Sequence, residues 1–185
     1  AYTRNDRHLD AVRLTVDGKT QVYNVPTPRT VYTNAGAAAL FAKPGDVVTP
    51  SVSYTGTWMH SYVYLDKNQD GQFDPQTELV SYSYYQGKNS EGQAVSNGNT
   101  IQPRPFTIPA DLAPGIYRLR YKVDWDNNDP LGSGDVLKHG GAFVDIRLNV
   151  HGNTATLRQQ NLNGEIITPE GAKLESYQAP FGQPF

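Results

Sequence analysis

The chain has no cysteine, one methionine and two tryptophans in 185 residues, and only 18% of it is charged. The missing cysteine excludes disulfides, thiolate nucleophiles and cysteine-ligated zinc together. Sixteen basic residues against eighteen acidic leave a formal charge of −2. That balance offers no basic field for nucleic acid or an anionic membrane. No run reaches the ~18 apolar residues of a membrane span. A nucleophile elbow, a His-Glu-x-x-His zinc pair and a phosphate-cradling glycine loop are all missing, and no stretch has the apolar period of an amphipathic helix. The chain therefore reads as non-enzymatic.

What is present is glycine (17), proline (13) and tyrosine (12), the composition of a turn-rich all-β protein. Val12, Leu14 and Val16 alternate with Ala11, Arg13 and Thr15, and the Asp17-Gly18 pair then predicts a tight hairpin into Thr20–Val25. Val31–Thr33 and Ala38–Ala42 read as two weaker strands, with a single helical turn over Ala35–Leu40 as the alternative. In Val47–Tyr54, Pro50 predicts an edge strand or a bulge. Residues 57–65 are apolar or aromatic on both faces, with Trp58, Tyr62 and Tyr64 one way and Met59, Val63 and Leu65 the other. Such a strand belongs inside a sheet covered on both sides, or has one face bound to something else. Glu78–Tyr85 is a further strand, followed by a long polar loop, Gln86–Asn99.

In strand 116–125, Tyr117, Leu119, Tyr121, Val123 and Trp125 form an inward row opposite Arg118, Arg120, Lys122 and Asp124. The last strand places Ala142, Val144, Ile146, Leu148 and Val150 inward and Phe143, Asp145, Arg147 and Asn149 outward. These patterns predict an antiparallel β-sandwich of roughly eight to ten strands. The sandwich is expected over residues 1–150, with 151–185 as a short C-terminal β extension, either the start of a second small β module or a packing tail. The chain as a whole reads as a piece of a longer, exported bacterial protein, secreted, periplasmic or on the cell surface.

Between the aromatic strand and Glu78 lies D-x-N-x-D-G-x-F-D-x-x-x-E: Asp66, Asn68, Asp70, Gly71, Gln72, Asp74 and Glu78. Calcium asks for six to eight oxygens from a loop that folds back on itself. Asp66, Asn68 and Asp70 supply side-chain oxygens, Gln72 a carbonyl, and Asp74 and Glu78 complete the set, with Gly71 at the sharp turn. The spacing is close to an EF-hand, but the last acid falls one place late and the flanks are strands, so a structural Ca2+ loop is expected. The alternative is a surface turn whose Asp and Asn side chains bond their own backbone.

Aromatic rings stack on the apolar faces of sugars while carboxylates and amides bond the hydroxyls. Trp58, His60, Tyr82, Tyr84, Tyr85, Trp125 and Asp126 are therefore candidate glycan contacts. Trp125 also continues the inward row from Tyr117 and reads first as core, and His60 first as a satisfied, partly buried residue. Asp124 and Asp126 form the only pair resembling a glycosidase's carboxylates. They keep a small glycan hydrolase as the least favoured reading, and an adhesive module docking on another protein stands between the two.

Several blocks carry a resemblance: Tyr62–Phe73, then Glu78-Leu79-Val80, Phe106–Gly115 and Arg118-Leu119-Arg120. Together they resemble the GEVED-type β-domain. Its signature stretch falls on Gly141-Ala142-Phe143-Val144-Asp145, where Gly141 and Asp145 match and both glutamates are replaced by apolar residues. The resemblance implies a non-catalytic accessory sandwich attached to a larger secreted protein, notably of Bacteroides-like bacteria, with neighbouring domains as partners. The chain from Tyr2 onward is also similar to C-terminal extensions of exported polysaccharide-degrading enzymes of such bacteria.

Overall fold

Nine strands make two sheets in the computed structural model, which describes residues 5–96, 103–125, 130 and 141–152. In chain order these are β1 (His8–Val16), β2 (Lys19–Asn24), β3 (Tyr32–Ala42), β4 (Val47–Thr55), β5 (Met59–Leu65), β6 (Leu79–Ser83), β7 (Phe106–Thr107), β8 (Gly115–Trp125) and β9 (Ala142–Val150). One sheet has the order β2-β1-β4-β7, the other β3-β9-β8-β5-β6. Their facing apolar sides share one core, with Leu9, Val12, Leu14 and Val48 from the first sheet and Met59, Val63, Leu119, Val123, Val144 and Ile146 from the second. This is the expected β-sandwich. Among the described residues no helix is long and apolar enough to cross a membrane.

Local chemistry explains the elements. Asp17 and Gly18 both take positive φ (51° and 73°) and join β1 to β2 with Val16 opposite Lys19, the two-residue turn expected of that pair. In β4, Pro50 lies opposite Leu14 of β1. On the other side β7 pairs only with Val47 and Val48, so β4 is an edge beyond them and tolerates a proline. In β8 the inward row from Tyr117 to Val123 is buried, as is the row from Ala142 to Val150 in β9.

Two expectations change. The weak strands around Val31–Thr33 and Ala38–Ala42 are one strand, β3, and it runs parallel to β9. Its register jumps between Asn34 and Ala39, so the intervening residues bulge rather than form a helical turn. A hairpin would force antiparallel pairing, but β3 and β9 are far apart in sequence and no turn sets their direction. The second sheet is therefore mixed. The other change is at Asp145. It points away from the core as expected, yet it is 0% exposed. Arg118 Nη1 (2.8 Å), Arg120 Nε (2.7 Å) and Nη2 (2.9 Å) and the Tyr32 hydroxyl (3.1 Å) all donate to its carboxylate.

The outer face of the second sheet is thus a covered face. All seven residues of β5 are buried. Lys122 is 0% exposed, with its Nζ 3.2 Å from Asp124 Oδ2, and the Tyr62 hydroxyl donates to Asp124 Oδ1 at 3.0 Å. Buried charges persist when they are paired and hydrogen-bonded. The expectations placed on Asp126 and on residues 153–185 lie outside the described residues.

Candidate functional site

β5 ends in two different devices. At its C-terminal end Leu65 N–H donates to Glu78 O (2.8 Å) and Asp66 N–H to Arg118 O (3.0 Å), so the acidic loop leaves and rejoins the sheet at one neck. Gln69 and Gly71 take positive φ (60° and 79°), and the chain turns sharply where Gly71 was expected to allow it. Asp66 is buried and accepts Asp70 N–H at Oδ1 (3.2 Å) and Gly71 N–H at Oδ2 (2.8 Å). Glu78, also buried, accepts Lys67 N–H at Oε2 (2.6 Å) and Asp74 N–H at Oε1 (2.9 Å). The two carboxylates brace the loop from opposite ends.

Carboxylate oxygens of Asp66, Asp70 and Glu78 lie within 4.8 Å of one another. The other expected ligands sit around them. Asn68 accepts Asp70 N–H (3.3 Å) and donates to Asp70 Oδ2 (3.2 Å). Gln72 is exposed, its N–H donating to Asp70 Oδ1 (2.9 Å). Asp74 stands apart from the trio, its Oδ1 accepting Gln76 N–H (2.8 Å). The loop therefore combines both sequence readings. Its side chains bond their own backbone, and three carboxylates converge. The donor set is all oxygen, the choice of a hard cation, and each carboxylate oxygen that accepts one N–H keeps a second lone pair for such an ion. The residues fit calcium. Burial raises the Asp66 pKa; the Gly71 N–H lowers it again, the Glu78 charge adds to the rise, and Asp70 acts both ways through its N–H and its charge.

At the other end, Trp58 precedes β5 with φ of 60°, which takes it out of the strand and leaves it 52% exposed. Its ring stacks on Tyr85 (centroids 6.4 Å apart, planes 16° apart). Trp58, Trp125, Asp6, Arg7 and Thr55–Thr57 line a shallow groove. The Arg7 guanidinium lies 3.9 Å above the Trp125 ring, which is half-buried against the core margin. Trp125 thus serves both readings at once. A side chain on Gly56 (φ 136°) would press on Arg7 and Met59, so that corner needs glycine.

The tyrosines divide. Tyr85 joins Trp58, but Tyr82 and Tyr84 stack on each other (4.5 Å, 13°), and Tyr84 leans on Tyr62 (5.3 Å), covering the outer face of β5. Burial pushes the Tyr84 hydroxyl pKa up, with Tyr82 and Asp124 adding to it. His60 is buried, its Nδ1 accepting Tyr85 N–H at 3.0 Å. Asp124 is buried behind Tyr62 and Lys122, and burial raises its pKa against the pull of Lys122, Tyr62 and His60. Two contributors escaped sequence reasoning. Arg7 sat in an unpatterned polar start, and Asn89 lay within a loop read only as long and polar. Asn89 knots that loop by accepting Glu91 N–H (3.0 Å) and Gln93 N–H (3.1 Å). The signal was available, since an Asn shortly before a glycine (Gly92) is an Asx-turn pattern.

Fold and loop together define an all-β module with an acidic bend between paired strands. Residues 60–145 match the model of the GEVED domain family, from within β5 to Asp145, and the resemblance read from the sequence is borne out. GEVED is an accessory domain family, consistent with a non-catalytic module. No curated protein matches the chain.

The raised Asp66 pKa has a definite sign. The folded state holds the proton to higher pH than the unfolded chain, so the cost of ionised Asp66 is fully present above its folded pKa and is relieved as pH falls toward the ordinary aspartate value of 3.8. In chelator, the stability difference between Asp66→Asn and the parent is therefore expected to move in the variant's favour as pH rises from 4 to 7, as read by urea denaturation. This comes on top of a pH-independent cost, because Asn can accept only one of the two N–H groups that Asp66 accepts. A difference that moved in the variant's favour toward acid would contradict the assignment.

Proposed function

We propose that the chain is a non-catalytic accessory module of an exported bacterial protein, holding a glycan at its aromatic end while calcium pins its acidic loop. The observation that carries the proposal is the Trp58–Tyr85 stack, half open to solvent at the rim of the groove it shares with Trp125. A sugar ring has apolar C–H faces and a rim of hydroxyls. Indole and phenol faces suit the first, and Asp6, Thr55 and Thr57 beside them suit the second. Tyr82 and Tyr84 stack on each other, and Tyr84 leans on Tyr62. The calcium would lie at the opposite end of β5, so its role is to stiffen the loop rather than to touch the sugar. Neighbouring domains of a longer chain are the natural partners of such a module.

Docking on another protein is a second reading, favoured by Phe41 (58% exposed) and Tyr32 (44%) on β3. A silent glycan array together with self-association lost in Phe41→Ser, measured by sedimentation, would support it instead.

Calcium binding only the folded state stabilises it by mass action, about 2.7 kcal/mol at a hundredfold excess over Kd, or roughly 5–10 °C in Tm for a chain of this size. Chelation is expected to reverse that shift, and Asp70→Ala to abolish it. A verified metal-free protein whose Tm ignores added calcium would remove the ion from the account.

On a glycan array, Trp58→Ala is expected to cost about 2 kcal/mol of affinity, some thirtyfold, while Asp70→Ala retains binding. Undiminished binding by Trp58→Ala, or turnover of any polysaccharide, would overturn the proposal.

A further inference from the structure

We propose that His60 is a positioning residue for the aromatic end, holding Tyr85 against Trp58 while its ring is neutral and releasing it when protonated. This rests on the glycan reading above and names how that site is regulated.

His60 is the second residue of β5, on the outer face, and is 3% exposed. Tyr85 lies two residues beyond the end of β6, where the strand ladder no longer fixes the chain. Its neighbours are held by the backbone: Tyr84 N–H donates to Lys88 O (3.1 Å), Gln86 N–H to Val95 O (2.8 Å) and Gly87 N–H to Tyr84 O (2.9 Å). Tyr85 N–H instead donates to a side chain, His60 Nδ1, at 3.0 Å. An amide N–H can only donate, so Nδ1 carries the lone pair and a neutral ring has its proton on Nε2.

Imidazolium has a proton on both nitrogens and no acceptor. Protonation would set Nδ1–H against Tyr85 N–H, donor against donor, beside the left-handed Gln86 (φ 58°). The Tyr85 backbone would then lose its tether at the residue whose ring carries Trp58. The titratable groups packed around His60 are Asp124, opposite it in register on β8, and Lys122 beside it, Tyr62 on β5, and Tyr82 and Tyr84 at the end of β6. The neutral ring therefore keeps the aromatic surface assembled, and the imidazolium form loosens it.

The test is a pH titration of the full, 15N-labelled chain without ligand, following the His60 ring nitrogens, the Tyr85 amide and the Trp58 indole. The expected result is one shared midpoint for all three. In His60→Asn the Asn Oδ1 can stand where Nδ1 stood, so the neutral-pH Tyr85 and Trp58 signals should be kept and their pH response lost. The inference is overturned if His60 stays neutral to pH 5, if the Tyr85 amide holds still while the ring titrates, or if His60→Asn keeps the response. Since no sugar is used, failure of the titration and failure of glycan binding are told apart: a silent array leaves the shared midpoint standing, and a missing midpoint leaves the array result standing.

Discussion

β5 has no solvent-facing side, and most of the molecule is arranged by that constraint. Its inward residues Met59, Val63 and Leu65 belong to the core between the sheets. Its outward residues, His60, Tyr62 and Tyr64, need a second cover. They find it in Tyr84, which leans on Tyr62, in Phe73, whose ring lies 5.5 Å from Tyr64, and in Pro130, whose carbonyl accepts the Tyr64 hydroxyl at 2.7 Å. Covering that face also buries Lys122, Asp124 and Asp145 on the neighbouring strands. Each must then be paired, because an isolated buried charge is far costlier than a hydrogen-bonded one.

Both candidate sites follow from where this doubly covered strand stops. At Leu65 the chain must leave a buried sheet, and it does so through a bend whose buried acids, Asp66 and Glu78, take backbone N–H groups from inside the loop. Asp70 then brings a third carboxylate close to both. At Met59 the chain enters from Trp58, whose left-handed backbone swings its ring away from the core and onto Tyr85. The acidic loop and the aromatic groove are opposite ends of one rigid element. Asp124, one of the two acids of the hydrolase reading, is enclosed by Tyr62 and Lys122.

Much of the fold was legible because period and turn chemistry are local signals. Asp17-Gly18 announced its hairpin, the rows in β8 and β9 announced the core, and the two apolar faces of β5 announced an interior strand. The acidic loop was legible as oxygen spacing, and one of the family blocks, Tyr62–Phe73, runs through it. What could not be read depends on partners distant in sequence. The direction of β3 is set by β9, more than a hundred residues away. Asp145 looked like an outward polar residue, since its burial depends on Arg118, Arg120 and Tyr32. Tyr82 and Tyr84 read as candidate contacts, and only the register Tyr62↔Tyr82 adds that they also cover β5. Trp58 was counted with the strand because a positive φ at a tryptophan leaves no trace in the pattern.

Native-state hydrogen exchange tests the dependence on β5 most directly. Amides of a strand covered on both faces open only when the whole domain does, whereas edge strands exchange through local opening. Ser61, Tyr62, Val63 and Tyr64 should show opening free energies equal to the global unfolding free energy, with β2 well below. Local exchange of those four amides at the rate of β2 would mean that the outer face is not sealed, and the account built on it would fail.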